Sequence, residues 1–258
     1  MKVLLTNDDG IHAPGLMALY TELKGDFQVA VVAPETEMSA VGHAITLTSP
    51  LRVQKIHRNG SLFGYAVTGT PADCVKIAVQ ELLDDPPDVI LSGINLGANV
   101  GVNVLYSGTV SAATEGAFLG IKSAAISLNT RKDADFGFAA RFSRKIIQFM
   151  TEHHLKAGTA LNVNIPAVPP GEIKGLCIAR QGTSRIQERF ERRSDPRGTV
   201  YYWLAGESFI ENGNTENDSV ALKENKITIT PLHYDLTCEA ELNRLKSFIP
   251  PLWEHFTP

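Results

Sequence analysis

A chain of 258 residues, 43% of them hydrophobic, is long enough to bury the core of one large domain without disulfide or metal support. Its formal net charge of −4 argues against a nucleic acid polymer as partner and favours a small diffusible ligand. Three widely spaced cysteines argue against a disulfide framework and favour a reducing compartment, so we expect a cytoplasmic protein. No apolar run approaches the ~18 residues of a membrane span, so we expect no membrane partner.

Predicted strands and helices alternate through the first two thirds of the chain. Short apolar runs that end in polar or glycine residues predict the strands, and this βαβ order is typical of an α/β fold. We therefore predict a Rossmann-like, mostly parallel sheet with helices on both faces. The predicted strands are 2–6, 27–33, 45–48, 51–56, 63–67, 88–92, 124–128 and 161–165, and the predicted helices are 14–24, 70–83, 109–120 and 136–153. Thr70 is the predicted N-cap of the second helix, with Pro71 at its first position and Asp73 at its third.

The composition changes after about residue 170. Strands are predicted over 176–179, 199–204 and 226–230 without long helices between them, and a last helix over 239–248. We predict an α/β core over residues 1–182 and a C-terminal, β-rich extension with a terminal helix over 183–258. Because an isolated two-stranded hairpin is only marginally stable in water, this extension is predicted to reach onto a neighbouring subunit of a homo-oligomer.

The first predicted strand leads directly into two adjacent carboxylates. The run 3–5 is apolar without alternation, as in a strand covered on both faces, and Asp8 and Asp9 follow it. Ligands of parallel sheets bind beyond the carboxyl ends of the strands, and two neighbouring carboxylates repel each other unless a cation such as Mg²⁺ or Mn²⁺ lies between them. The alternative is a turn at Asp9 and Gly10, with Asp8 capping the helix that begins near Pro14.

A segment rich in glycine and asparagine, residues 92–103, follows another buried strand. Its glycines allow close approach of a ligand to the backbone, and the side-chain oxygens of Asn95 and Asn99 are able to bind a metal or substrate. The spacing is not that of a dinucleotide-binding loop, and a flexible loop is the alternative. The next residues, Ser107, Gly108 and Thr109, begin a helix whose free N–H groups predict a phosphate cradle, although either hydroxyl is equally able to serve as a routine N-cap.

Several segments together resemble the SurE family, the survival protein of stationary phase, which acts as a 5′/3′-nucleotidase. The resemblance runs in order along nearly the whole chain. The segments are 5–10 (LTNDDG), 69–75 (GTPADCV), 92–95 (SGIN), 106–110 (YSGTV), 195–198 (DPRG) and 230–237 (TPLHYDLT).

The resemblance implies a divalent-metal-dependent phosphomonoesterase that acts on nucleoside 5′- and 3′-monophosphates, and in some members on short polyphosphate. It implies one Mg²⁺ or Mn²⁺ per subunit, held by Asp8, Asp9, Ser39 and Asn95. It also implies a homodimer or homotetramer whose subunits exchange the C-terminal extension, residues 183–258. The family usually has glycine and further small polar residues after the serine ligand. In this chain, Ser39 is followed instead by residues 40–43, AVGH. His43 there is expected to be a surface residue, with a substrate contact as the alternative.

Two further roles complete the predicted catalytic set of Asp8, Asp9 and His233. Asp8 is predicted to help deprotonate the attacking water, and His233 to protonate the leaving alkoxide. A structural role is the alternative for His233. An aspartyl-phosphate phosphatase and a non-catalytic nucleotide sensor are the competing functions, although the former requires acids at positions i and i+2, whereas Asp8 and Asp9 are adjacent.

Overall fold

A computed structural model describes residues 1–130, 132–186, 189–205, 209–210 and 215–248. The strands are β1 (Lys2–Thr6), β2 (Gln28–Pro34), β3 (Val53–Arg58), β4 (Ser61–Val67), β5 (Val89–Leu96), β6 (Lys122–Asn129), β7 (Thr159–Pro166), β8 (Leu176–Ile178), β9 (Arg185–Ile186), β10 (Arg189–Ser194), β11 (Val200–Ala205), β12 (Phe209–Ile210) and β13 (Ile227–His233). The helices are α1 (Pro14–Leu23), α2 (Pro71–Ile77), α3 (Gly108–Phe118), α4 (Gly137–Glu152), α5 (Asp218–Lys223) and α6 (Glu239–Lys246). A π-helical turn over Ala78–Leu82 continues α2, and Gly101–Tyr106 and Pro170–Glu172 are 3₁₀ segments.

Nine of the described strands form one sheet, in the order β3-β4-β2-β1-β5-β6-β7-β13-β8. The six strands β4, β2, β1, β5, β6 and β7 are parallel to one another. The edge strand β3 runs antiparallel to β4, and β13 runs antiparallel to β7. This arrangement confirms the predicted α/β fold. It also brings the carboxyl ends of β1, β2 and β5 to one edge of the sheet, which we call the carboxyl edge.

The central strand β1 is buried on both faces because its alternate residues serve two different cores. Val3 and Leu5 pack in the cluster that contains the apolar faces of α1 and α4. Leu4 points to the other face, where it packs with residues of α2 and α3. Helices therefore cover both faces of the sheet, which explains why the run 3–5 is apolar without alternation.

The strand predicted over 45–48 is wrong. The backbone N–H and the hydroxyl of Thr46 both donate to the carboxylate of Asp73, which also forms a capping box with Thr70 at the start of α2. This segment is therefore held by a helix N-terminus, and its N–H group is not available to a sheet ladder. The predicted N-cap at Thr70 is confirmed.

Residues on both sides of the boundary predicted at residue 182 contribute to the central sheet. Strand β13 pairs with β7 on one side and with β8 on the other, so residues far beyond 182 complete the central sheet. The apolar side chains Ile227 and Ile229 of β13 are buried in the main core. Within the predicted extension, the strand pairs β10–β11 and β9–β12 form two small sheets that are separate from the central sheet. Residues 249–258 of the extension are not among the described residues.

Two smaller expectations concern the cysteines and the membrane. Cys74, Cys177 and Cys238 are free thiols, as predicted, although Cys238 is exposed. Among the described residues, no helix combines the length and the apolar character required to cross a bilayer.

Candidate functional site

The carboxylate of Asp8 is fixed at the carboxyl edge by the N-terminus of α3. Asp8 is only 5% exposed, and its Oδ1 accepts a hydrogen bond of 2.6 Å from the hydroxyl of Thr109. Helix and carboxylate are so close that a Cβ atom added to Gly108 would lie 2.7 Å from the Cβ of Asp8. Glycine at this position therefore allows the positive end of the helix to approach the carboxylate.

The loop after β2 brings Ser39 to the same edge. The backbone N–H of Met38 donates to the carbonyl oxygen of Asp8 over 2.7 Å, which attaches the loop directly to the end of β1. The hydroxyl of Ser39 donates to the carboxylate of Glu37 over 2.6 Å. Because the hydroxyl proton points to Glu37, the lone pairs of the Ser39 oxygen remain available to a cation.

The third contribution comes from the end of β5, which extends four residues beyond the predicted strand. The side-chain nitrogen of Asn95 donates to the carbonyl oxygen of Gly97 over 2.8 Å, so the amide oxygen is the atom left for a ligand. The next residue, Leu96, donates its backbone N–H to the carboxylate of Asp9. The structure thus brings the predicted ligands Asp8, Asp9 and Asn95 to one edge of the sheet.

Electrostatics at this edge favour a cation. Burial, followed by the negative charges of Asp8 and Glu37, raises the pKa of Asp9 to about 7. Burial also raises the pKa of Asp8, against the opposing effect of its hydrogen bond with Thr109. Glu37 was not anticipated from the sequence, although an acid two residues before Ser39 in a loop at the carboxyl edge was a usable signal.

The donor set fits a hard divalent cation. In the described part of the chain, no three His, Cys, Asp or Glu side chains converge as a metal site, so the set differs from a zinc centre. It consists of the carboxylates of Asp8 and Asp9, the hydroxyl of Ser39 and the amide of Asn95, and all of these supply oxygen. Oxygen ligands with two negative charges suit Mg²⁺ or Mn²⁺.

The residues predicted to bind phosphate have other partners in the structure. Ser107 caps α3 by accepting the N–H of Val110 over 3.1 Å, and Thr109 hydrogen-bonds Asp8. Gly108 lies against Asp8, so the backbone of the helix N-terminus still adjoins the candidate metal position. The routine N-cap function left open for Ser107 is therefore present.

Asn99, the fourth residue predicted to bind substrate, is part of a buried polar network. Its side-chain nitrogen donates to the hydroxyl of Ser127 over 2.9 Å, and its backbone N–H donates to the side-chain oxygen of Asn164 over 2.8 Å. Asn162 and Asn164 both donate to its carbonyl oxygen. These bonds fix the loop that follows Asn95 on top of β6 and β7.

A buried acid from the last third of the chain also supports this loop. The carboxylate of Asp218 accepts hydrogen bonds from the backbone N–H groups of Gly101 and Gly182, each over 3.0 Å, and from that of Ser219 over 2.8 Å. Asp218 is fully buried. Asp218 was not predicted from the sequence, because nothing near it in the chain indicates that it accepts hydrogen bonds from a loop more than a hundred positions earlier.

His43 is exposed, as expected, and it also connects two parts of the structure. Its Nε2 lies 2.8 Å from the carboxylate of Glu115, which is 5% exposed and also accepts from Lys76 over 3.1 Å. Burial alone would raise the pKa of Glu115, but the hydrogen bonds from His43 and Lys76 lower it. The His43 ring also stacks on Phe118, with centroids 5.1 Å apart. His43 therefore attaches the loop that carries Ser39 to the face of α3.

His233 is not brought to the carboxylates. It ends β13, which runs antiparallel to β7, and its register partner is Thr159 at the start of β7. It therefore lies at the opposite edge of the sheet from Asp8, with three strands between β1 and β13, a lateral separation of about 19 Å. Its Nδ1 accepts the backbone N–H of Asp235 over 3.2 Å.

Known proteins resemble this chain over nearly its whole length. The profile of a family described as "Survival protein SurE" matches residues 3–188. The 5′-nucleotidase SurE of Syntrophus aciditrophicus (strain SB) is 54% identical over 250 residues, which cover 96% of this chain and 94% of that protein. The 5′-nucleotidase SurE of Moorella thermoacetica is 50% identical over 254 residues, 98% of each chain. A crystal structure of the SurE protein from Aquifex aeolicus superposes with a TM-score of 0.83 at 40% identity, covering 96% of this chain and 99% of that one.

Proposed function

The chain belongs to the SurE family, and we propose that it is a divalent-metal-dependent phosphomonoesterase that hydrolyses nucleoside 5′- and 3′-monophosphates, with short polyphosphate as a further substrate. The family and the names of its relatives support nucleotide monophosphatase activity. We propose one Mg²⁺ or Mn²⁺ per subunit as the cofactor.

One observation carries the metal dependence. Asp8 and Asp9 are held side by side at the carboxyl edge, with Glu37 close enough to raise the pKa of both. Holding such charges together costs free energy unless a cation compensates them. The hydroxyl of Ser39 and the amide of Asn95 supply neutral oxygen ligands, so the charge of a divalent cation would be balanced by the two carboxylates alone, and a phosphate dianion would not have to approach an uncompensated negative charge from Asp8 and Asp9.

The residues of the site suggest how the ester bond is broken. When bound, the cation would lower the pKa of a coordinated water and polarise a phosphoryl oxygen. Asp8 and Asp9 would hold the cation, and the N-terminus of α3 would offer its positive end to the equatorial phosphoryl oxygens. Attack by water on phosphorus forms the new P–O bond as the bond to the ribose oxygen breaks. The water loses a proton to solvent, and the ribose oxygen takes a proton from solvent and leaves as the nucleoside hydroxyl. The role of general acid predicted for His233 is not carried into this proposal, because His233 lies at the other edge of the sheet.

The proposal is tested by measuring phosphate release from a panel of nucleoside 5′- and 3′-monophosphates and short polyphosphate, with Mg²⁺, with Mn²⁺ and with EDTA. We expect release to require the metal, to be nearly abolished by Asp8→Asn and by Asp9→Asn, and to be unaffected by Asp84→Asn, an exposed acid away from the carboxyl edge. Full release in EDTA, or wild-type turnover in Asp9→Asn, would contradict the assignment. Nucleotide binding without release would instead indicate a sensor.

We also propose that the hairpin β10–β11 is exchanged between subunits of a homodimer or homotetramer. Large side chains of the hairpin are exposed in the single chain, among them Phe190 at 72%, Tyr202 at 59% and Trp203 at 58%. Burial of such side chains against a partner would stabilise the oligomer. Light scattering on a variant in which these three residues become serine is expected to give a smaller species. An unchanged mass would refute the proposal.

A further inference from the structure

A groove between α1 and the hairpin β3–β4 lies outside the candidate metal site. Its volume is about 720 Å³, and residues of α1 and of the 56–63 segment line it. Four of the lining residues have basic side chains, namely His12, Lys24, His57 and Arg58, and none of the lining residues is Asp or Glu. This composition is unusual for a chain with a net charge of −4. We call this feature the α1–β3 groove.

The guanidinium of Arg58 is held in place inside the α1–β3 groove. It lies over the ring of Phe63, with the central carbon 4.7 Å from the ring centroid, and one of its nitrogens is 3.4 Å from Nδ1 of His12. Phe63 is buried and packs edge-to-face against Tyr20, with centroids 4.9 Å apart. A cation that is stacked in this way loses little further side-chain freedom when it binds a ligand.

Among the described residues, no carboxylate forms a salt bridge with Arg58. Elsewhere Arg144, Arg193 and Arg244 each form a salt bridge with an acidic side chain. Over the part of the chain that the structure describes, Arg58 and its groove neighbour Lys24 form no salt bridge; their ring contacts are with Phe63 and Tyr20. A fixed guanidinium without a counter-ion is suited to an anion, and its fork of donors matches phosphate oxygens.

We propose that the α1–β3 groove is a second anion site, which binds the phosphate group of a ligand of nucleoside monophosphate size. Arg58 receives the phosphate, Lys24 and His57 line the same space, and the volume leaves room for the rest of the ligand. His12 follows Asp9 by three residues in the β1–α1 connection, so the groove and the metal site share one loop. The inference does not depend on hydrolysis at the metal site.

The proposal is tested by calorimetric titration of the protein with anions in EDTA. Without metal, the carboxylates of Asp8, Asp9 and Glu37 repel anions, so binding is expected in the groove. The probes are adenosine monophosphate, inorganic phosphate and adenosine. We expect one adenosine monophosphate per chain. Phosphate binding as tightly as the nucleotide would identify the free ion as the ligand, whereas tighter nucleotide binding would identify the monoester.

Two variants separate the groove from nonspecific charge. Arg58→Met keeps an aliphatic side chain over Phe63 and is expected to weaken binding roughly tenfold or more, the usual effect of losing a charged hydrogen-bond donor. Arg52→Met removes an exposed arginine at the other end of the hairpin and is expected to bind like the wild type. Absence of binding in EDTA, binding unaffected by Arg58→Met, or adenosine binding as tightly as its monophosphate would each overturn the inference. Arg58→Met should retain phosphatase activity when metal is present. A negative binding result for the groove would therefore leave the proposed phosphatase function untouched, and the two proposals can fail separately.

Discussion

The contact between Asp8 and the N-terminus of α3 is expected to make Gly108→Ala far more harmful to activity than to stability. The new Cβ would lie 2.7 Å from the Cβ of Asp8 and 3.0 Å from its Oδ2, whereas ordinary contacts begin at 3.4 Å. One of the two groups must therefore move by about 0.7 Å. Cγ of Pro71 would also lie 3.1 Å from the new Cβ, which is again closer than an ordinary contact, so the site offers little free space for the new methyl group.

The cost in stability is small because two effects oppose each other. Overpacking costs about 1–3 kcal/mol, while alanine is favoured over glycine in a helix by up to about 1 kcal/mol. A misplacement near 1 Å at a reacting centre can lower turnover by about 10²-fold. We therefore expect Gly108→Ala to lose roughly that factor in phosphate release while unfolding within a few degrees of the wild type.

The assay is phosphate release at saturating metal, combined with thermal unfolding. Gly25→Ala is the matched control, because its Cβ would meet nothing within 4 Å. Wild-type turnover in a folded Gly108→Ala protein would show that α3 does not determine the position of Asp8.

Three further predictions follow from the site. The pKa of Asp9 is raised to about 7, so the folded metal-free protein binds more protons than the unfolded chain between about pH 4 and 7. The free energy of unfolding should therefore fall as pH rises through this window. The unfolding temperature of Asp9→Asn minus that of the wild type, both in EDTA, should be larger at pH 8 than at pH 5, and a constant difference would refute this. Glu115→Gln, which removes the charge that pairs with His43, should speed hydrogen exchange in residues 39–46 and weaken Mn²⁺ binding, whereas the exposed control Glu172→Gln should change neither. His233→Ala should leave turnover on nucleotides and on p-nitrophenyl phosphate unchanged; a selective loss on nucleotides would restore the general acid role.

Much of the central sheet could be predicted because its pattern is local. The apolar run of β1 and the capping residues of α2 report their environment within a few positions, and both predictions are confirmed. Strand β13 was predicted within three residues of its bounds, but its place between β7 and β8 depends on pairing with distant partners. Residues 45–48 alternate as a strand does, yet contact with Asp73 determines their structure.

The same distinction applies to the site. The common position of the carboxylates after β1 and of Asn95 near the end of β5 could be predicted, because the carboxyl ends of parallel strands share an edge. The hydrogen bond between Glu37 and Ser39 and the pair of His43 with Glu115 depend on the path of one irregular loop. His233 was associated with the site by resemblance, and strand direction places it at the other edge of the sheet from Asp8, in a cavity that Ser107 also lines.

The three hydrogen bonds that Asp218 accepts have a consequence for the order in which the molecule matures on the ribosome. Asp8 leaves the exit tunnel early, but the loop through Gly101 lacks this support until Asp218 has been translated. Strand β13, which follows Asp218, closes the open edge of β7 later still. Because domains form from the N-terminus during synthesis, a nascent chain would carry the paired acids before their surroundings are fixed. A partly translated chain is therefore expected to hold metal weakly, and the finished centre to form only when the last strand of the sheet has been added.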